Sequence, residues 1–128
     1  MIKSKYILDI LNLLLDGDIY GLSARNQIPF LVEKNLDYTS SGLFLEFLHK
    51  DGIIKYKITK PDLVLNGVKI SSTDFSIEAD AKLFFRDGLI DKLEIWCYLG
   101  DYPQIELTKY TLKQEWENSP NKIISTED

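Results

Sequence analysis

Cys97 and His49 are the only thiol and the only imidazole in the chain, so any nucleophilic or metal chemistry of the usual kinds would fall to them. A Cys–His couple needs both side chains in one cleft, with the thiolate exposed. Cys97 instead occupies an apolar position of an alternating run, where a cysteine serves as inert packing. His49 stands at the end of a strand-like segment next to Asp51-Gly52, the place of a surface residue. One histidine and one cysteine do not complete a tetrahedral zinc site unless carboxylates supply most of it.

The carboxylates form no better constellation. Asp74, Glu78 and Asp80 could gather around calcium or magnesium, but their spacing is not that of an EF-hand loop. Glu78 and Asp80 are two apart, as on the solvated side of a strand. Asp80 and Glu94 face each other in the strand register preferred below, the arrangement acid–base catalysis would use. Like charges across a ladder destabilise it slightly, and Lys82 and Lys92 stand ready to relieve them. The glycines at 17, 21, 42, 52, 67, 88 and 100 are scattered one per turn and form no phosphate-cradling string. The reading is of a protein that is not an enzyme, with no catalytic residue, no metal and no cofactor.

Composition narrows the partners. The chain has 128 residues, 45% of them hydrophobic and 27% charged, with a net charge of −5. That length makes one domain that needs no staple. Acidity disfavours nucleic acid and anionic membrane, both of which are held through Lys and Arg, and favours a basic protein. A single cysteine permits no internal disulfide, and with no signal-like start this points to the cytoplasm. The apolar run Ile7–Leu15 is too short to span a bilayer.

The elements that would position any site follow from periodicity. Ser4 to Leu15 reads as a helix, with Ile7, Leu8, Leu11, Leu14 and Leu15 on one stripe, Ser4 as N-cap and Gly17 as a left-handed C-cap. A short second helix is expected over Gly21–Ile28, capped by Ser23 and stopped by Pro29. Residues 30–38 fit a strand better than a helical turn. Leu43, Leu45 and Phe47 alternate with Phe44, Glu46 and Leu48. Asp51-Gly52 then suggests a tight hairpin pairing Phe47 with Tyr56, Leu45 with Ile58 and His49 with Ile54. Asn66-Gly67 reads as another tight turn, between Leu63–Leu65 and Val68–Ile70.

Ile77 to Leu99 is the clearest stretch. Ile77, Ala79, Ala81, Leu83 and Phe85 alternate with Glu78, Asp80, Lys82, Phe84 and Arg86, and after Asp87-Gly88 Leu93, Ile95, Cys97 and Leu99 alternate with Lys92, Glu94, Trp96 and Tyr98. Both apolar sets must share a face, which favours a three-residue loop, Arg86-Asp87-Gly88, pairing Phe85 with Leu89 and Ala81 with Leu93. The two alanines leave room for the N-terminal helix. Residues 105–116 fit a last strand over Thr108–Gln114 or a helix. The expected architecture is α+β: an antiparallel meander of about five to seven strands against an N-terminal helix. Residues 1–118 form the domain and 119–128 a polar tail, frayed over 125–128.

The opposite face of the 77–99 hairpin carries Phe84, Ile90, Trp96 and Tyr98 among Glu78, Asp80, Lys82, Lys92 and Glu94. Large aromatics rimmed by charge mark a contact surface unless another element covers them. Phe84, Glu94, Trp96, Tyr98, Asp101 and Tyr102 are the candidate partner contacts.

The segment from Gly67 to Pro103 resembles a pattern of small bacterial proteins in which a strand ending Phe-Phe-x-Asp-Gly precedes Leu-Glu, an aromatic strand, then Gly and Pro. Here these are Phe84, Phe85, Asp87, Gly88, Leu93, Glu94, Trp96, Tyr98, Gly100 and Pro103. Ser40 to Phe47 is similar to an earlier strand of the same proteins. The wider group of small acidic α+β bacterial proteins includes immunity proteins that neutralise polymorphic or contact-delivered toxins. The resemblance implies a protein partner, a basic toxin domain, and brings no site residues with it. The alternative is a stand-alone ligand-binding or self-assembling domain.

Overall fold

A computed structural model describes residues 1–127 as two short helices and a seven-stranded antiparallel sheet, an α+β fold. Helix α1 (Lys5–Leu14) begins at Ser4, whose hydroxyl accepts the Ile7 N–H at 3.2 Å, a side-chain N-cap. It buries Tyr6, Ile7, Ile10, Leu11, Leu13 and Leu14. Gly17 does not end it in a left-handed turn. A 3-10 turn, Leu15–Gly17, follows directly, and Asp18 caps a second helix, α2 (Ile19–Ala24), by accepting the Tyr20 N–H at 2.7 Å. The expected cap Ser23 and stop Pro29 are both displaced: Ser23 lies inside α2, and Pro29 lies inside the following 3-10 segment, Arg25–Phe30.

The strands are β1 (Leu31–Thr39), β2 (Gly42–His49), β3 (Val64–Ser72), β4 (Ile77–Arg86), β5 (Leu89–Leu99), β6 (Thr111–Gln114) and β7 (Ile123–Ser125). Across the sheet they run β1-β2-β5-β4-β3-β6-β7. The order departs from a simple meander at β2, which neighbours β5 instead of β3. That placement removes the expected Asp51-Gly52 hairpin. With β1 on one edge of β2 and β5 on the other, residues 53–58 have no edge to join. Ile53–Tyr56 instead form a 3-10 turn, with Ile53 buried and Gly52 at φ +97°. The pairs Phe47–Tyr56, Leu45–Ile58 and His49–Ile54 do not exist, and Phe47 faces Glu33 on β1.

Asn66-Gly67 is likewise not a reversal. Residues 64–72 are one strand, and Gly67 is an extra residue between the pairs Asn66–Lys82 and Val68–Ala81. At φ +97° it makes a bulge, and a Cβ there would sit 2.9 Å from the Trp116 ring. The tail is also structured. Ile123–Ser125 pair with β6, the Thr126 N–H donates to the Tyr110 carbonyl, and Glu127 accepts from Thr73 and Thr111. The frayed-tail expectation over 125–128 fails for 125–127; Asp128 lies outside the described residues.

The central hairpin keeps its faces but changes its register. Asp87 and Gly88 both have positive φ, 52° and 79°, so the turn has two residues and pairs Arg86 with Leu89. Asp91 is then an extra residue, after which Leu83 faces Leu93, Ala81 faces Ile95 and Ala79 faces Cys97. The expected partners Phe85–Leu89 and Ala81–Leu93 are thus each displaced. A bulge beyond the turn restores the parity that a bulge within the loop was invoked to supply. Ile77, Ala79, Ala81, Leu83, Phe85, Leu93, Ile95 and Cys97 all point inward and are buried. Helix α1 lies over this face, against β3, β4 and β6. Among the described residues, no helix is long and apolar enough to cross a membrane.

Candidate docking face

With the helices on one side, the even-numbered residues of β4 and the middle of β5 occupy the other. Cross-strand pairing sets Gly42, Trp96, Asp80 and Lys69 in one rung, and Phe44, Glu94, Lys82 and Asn66 in the next. Gly42, paired with Trp96, carries no side chain, and Trp96 is 57% exposed. The bulge at Gly67 bends β3 and brings in Glu115, whose N–H donates to the Gly67 carbonyl at 2.7 Å. Together these residues line a groove of about 570 Å³ whose walls include Phe84, Trp96, Asp80, Glu94 and Glu115.

Charge in the groove is uneven. Lys69 lies 3.4 Å from Glu78 and 3.9 Å from Glu115, with its ammonium 5.8 Å from the centre of the Tyr98 ring. Lys92 covers Phe84 at 4.9 Å and approaches Glu94 at 3.9 Å. Asp80 has no ion-pair partner within 4 Å among the described residues. Partial burial raises its pKa; Glu115 and Glu78 add to the shift, while Lys69 and Lys82 oppose it. A cation arriving in the groove would meet a carboxylate that the fold has left underneutralised. The like-charge pair Asp80–Glu94 is not formed, because the shift of register puts Lys82 opposite Glu94 and Trp96 opposite Asp80.

The candidate contacts separate in the structure. Phe84, Glu94 and Trp96 meet in the groove. Tyr98 is 47% exposed and stands beside it as the extra residue of a second irregularity in the β4–β5 ladder. Asp101 is exposed on the connection after β5. Tyr102 is a correction: it is 2% exposed, on the helix side, with its hydroxyl 2.7 Å from that of Tyr6. Ile90, assigned by alternation to the outer face, is fully buried because the Asp91 bulge reverses the alternation at that point. Asn66, Gly67 and Glu115 were not foreseen. They reach the groove through β3 and the chain after β6, a long-range adjacency no local pattern reports.

The conventional catalytic residues are apart. The Cys97 thiol donates to the Leu99 carbonyl at 3.2 Å, and burial raises its pKa. A His49 ring nitrogen lies 2.6 Å from the Ile90 carbonyl. Residues 90 and 97 stand on the same strand, roughly 23 Å apart at strand rise. No protein-family model, no curated protein and no solved structure matches the chain, so the functional reading rests on the geometry of this face.

Proposed function

We propose that the protein is a non-catalytic binding module of the immunity type, which docks the outer face of its sheet onto a basic toxin domain and blocks it. The observation that carries this is Trp96, largely exposed on a central strand and set among Asp80, Glu94 and Glu115 in one groove. Rigid strands fix the indole, so little conformational freedom is lost on binding. Exposed aromatics of this kind act as interface hot spots, and the surrounding carboxylates would speed encounter with a basic cleft. The proposed location is the cytoplasm, where the lone thiol stays reduced.

The test is affinity capture from the source cell with the native chain, Trp96→Glu and Glu94→Lys in parallel, followed by co-expression with the captured protein. The native chain should retain a basic protein that inhibits growth, and should relieve that inhibition. Loss of a hot spot of ~2 kcal/mol weakens binding about thirtyfold, enough to abolish rescue by Trp96→Glu. Equal capture by all three chains, or failure of the native chain to rescue growth, would overturn the proposal. A dimer seen in light scattering and lost in Trp96→Glu would assign the face to self-assembly instead.

A further inference from the structure

We propose a second site, separate from the outer sheet face and independent of its function: a pocket between α2 and the 53–59 turn that binds a small ligand carrying a phosphate ester. The pocket has a volume of about 350 Å³. Tyr20, Ser23 and Asn26 line it from the helical side, and Lys55, Lys57 and Thr59 from the turn. No acidic residue lines it, although the chain as a whole carries a net charge of −5.

Two lysines, Lys55 and Lys57, line the pocket, and Lys60 stands beside it over the Tyr20 ring. Lys55 lies 5.1 Å from the centre of the Tyr56 ring, and Lys60 reaches over the Tyr20 ring at 5.7 Å. Among the described residues, neither these two nor Lys57 has a carboxylate within 4 Å. Asp18, in the helical segment, accepts the Tyr20 N–H and is not part of the lining. A phosphate dianion would bring negative charge to a lining that has lysines and no carboxylate. Ser23, Thr59 and Asn26 add neutral polar groups, and the exposed ring of Tyr20 offers a wall for the body of the ligand.

The turn that presents the lysines is irregular yet firmly held. Gln27, fully buried, donates from its amide nitrogen to the Tyr56 and Gly88 carbonyls, both at 3.0 Å. The Ile58 N–H donates to the same Gly88 carbonyl at 3.0 Å, and Phe30 packs against Tyr56 with ring centres 5.5 Å apart. A loop fixed by a rigid scaffold is where binding groups commonly stand. The concavity is the size of a single small molecule, which favours a mononucleotide-like ligand over a polymer.

The test is an amide chemical-shift titration of the intact protein with AMP, inorganic phosphate, adenosine and succinate. AMP and phosphate should shift amides within 20–26 and 55–60, less so in high salt, while adenosine should not. Lys55→Glu with Lys57→Glu should weaken AMP about tenfold or more, and Lys113→Glu, on the exposed side of β6, should leave it unchanged. No shift with millimolar AMP, shifts that persist in the Lys55/Lys57 variant, or succinate binding as tightly as phosphate would each overturn the proposal. So would tight binding of a short single-stranded RNA when AMP does not bind, which would mark an extended nucleic-acid surface instead.

Discussion

Replacing Gln27 with alanine tests whether one buried side chain holds three parts of the fold together. Its amide oxygen accepts the Ile90 N–H at 2.7 Å, and its nitrogen serves the Tyr56 and Gly88 carbonyls. Gly88 would keep the Ile58 N–H, so the orphaned groups are the Ile90 N–H and the Tyr56 carbonyl. An unsatisfied buried donor costs roughly 1–3 kcal/mol, and the space left by the side chain adds to that. A total of about 3 kcal/mol is expected. At a urea dependence of about 2 kcal/mol/M, the unfolding midpoint should fall by about 1.5 M with unchanged slope. Gln27→Met keeps the volume and removes only the hydrogen bonds, so it should retain much of the loss. Exchange of the Ile90 amide should accelerate in both variants, reporting the lost acceptor at its own position. If both variants unfold within about 0.5 kcal/mol of the native chain, the clamp contributes no more than an ordinary surface residue, and the reasoning is wrong.

Two pH-dependent outcomes follow from other buried groups. Asp16 is 5% exposed; burial alone would raise its pKa, but hydrogen bonds from Arg25, Lys122 and Gln114 outweigh that and lower it below its ordinary 3.8. Its contribution is thus present above about pH 4 and lost as pH falls through the lowered value, so Asp16→Asn should cost about 2 kcal/mol at pH 7 and progressively less in acid, by urea unfolding at each pH. Burial raises the pKa of Tyr6 and Tyr102, and burial with the hydrogen bond to Asp9 pushes Tyr110 up to about 12. Their stabilisation is complete below about pH 10 and lost as pH rises through the folded values, so absorbance at 295 nm should show fewer than the full seven tyrosinates until the chain unfolds in alkali.

What could be read from the sequence was parity, and what could not was adjacency. The inward set from Ile77 to Cys97 was recoverable because burial on one face constrains every second residue, whichever loop joins the strands. The register was not, since a bulge inside the loop and one at Asp91 satisfy the same parity. Asp51-Gly52 and Asn66-Gly67 carry strong local turn chemistry, but β2 had both its edges filled by strands distant in sequence, and Gly67 was needed as a bulge against Trp116. Tail residues 123–125 pair with β6 through Ile123 and Ile124, too short a run to stand out among polar neighbours.

The same distinction explains which part of each surface was visible. Phe84, Glu94 and Trp96 alternate within two consecutive strands, so their shared face follows from spacing alone. The surroundings of Asp80 are set by burial and by groups distant in sequence, Glu115 from the chain beyond β6 raising its pKa and Lys69 from β3 opposing the rise. The lysine pocket is the sharper case. Lys55, Lys57 and Lys60 form a local basic run, and in a hairpin turning at Asp51-Gly52 they would stand on its outer side, where lysines are ordinary solvated residues. Once the hairpin is replaced by a 3-10 turn clamped to Gln27, Lys55 and Lys57 line a concavity shared with α2, and Lys60 reaches the Tyr20 ring forty residues earlier. The residues of such a run do not change; backbone curvature decides whether they stand on an open strand face or line a concavity.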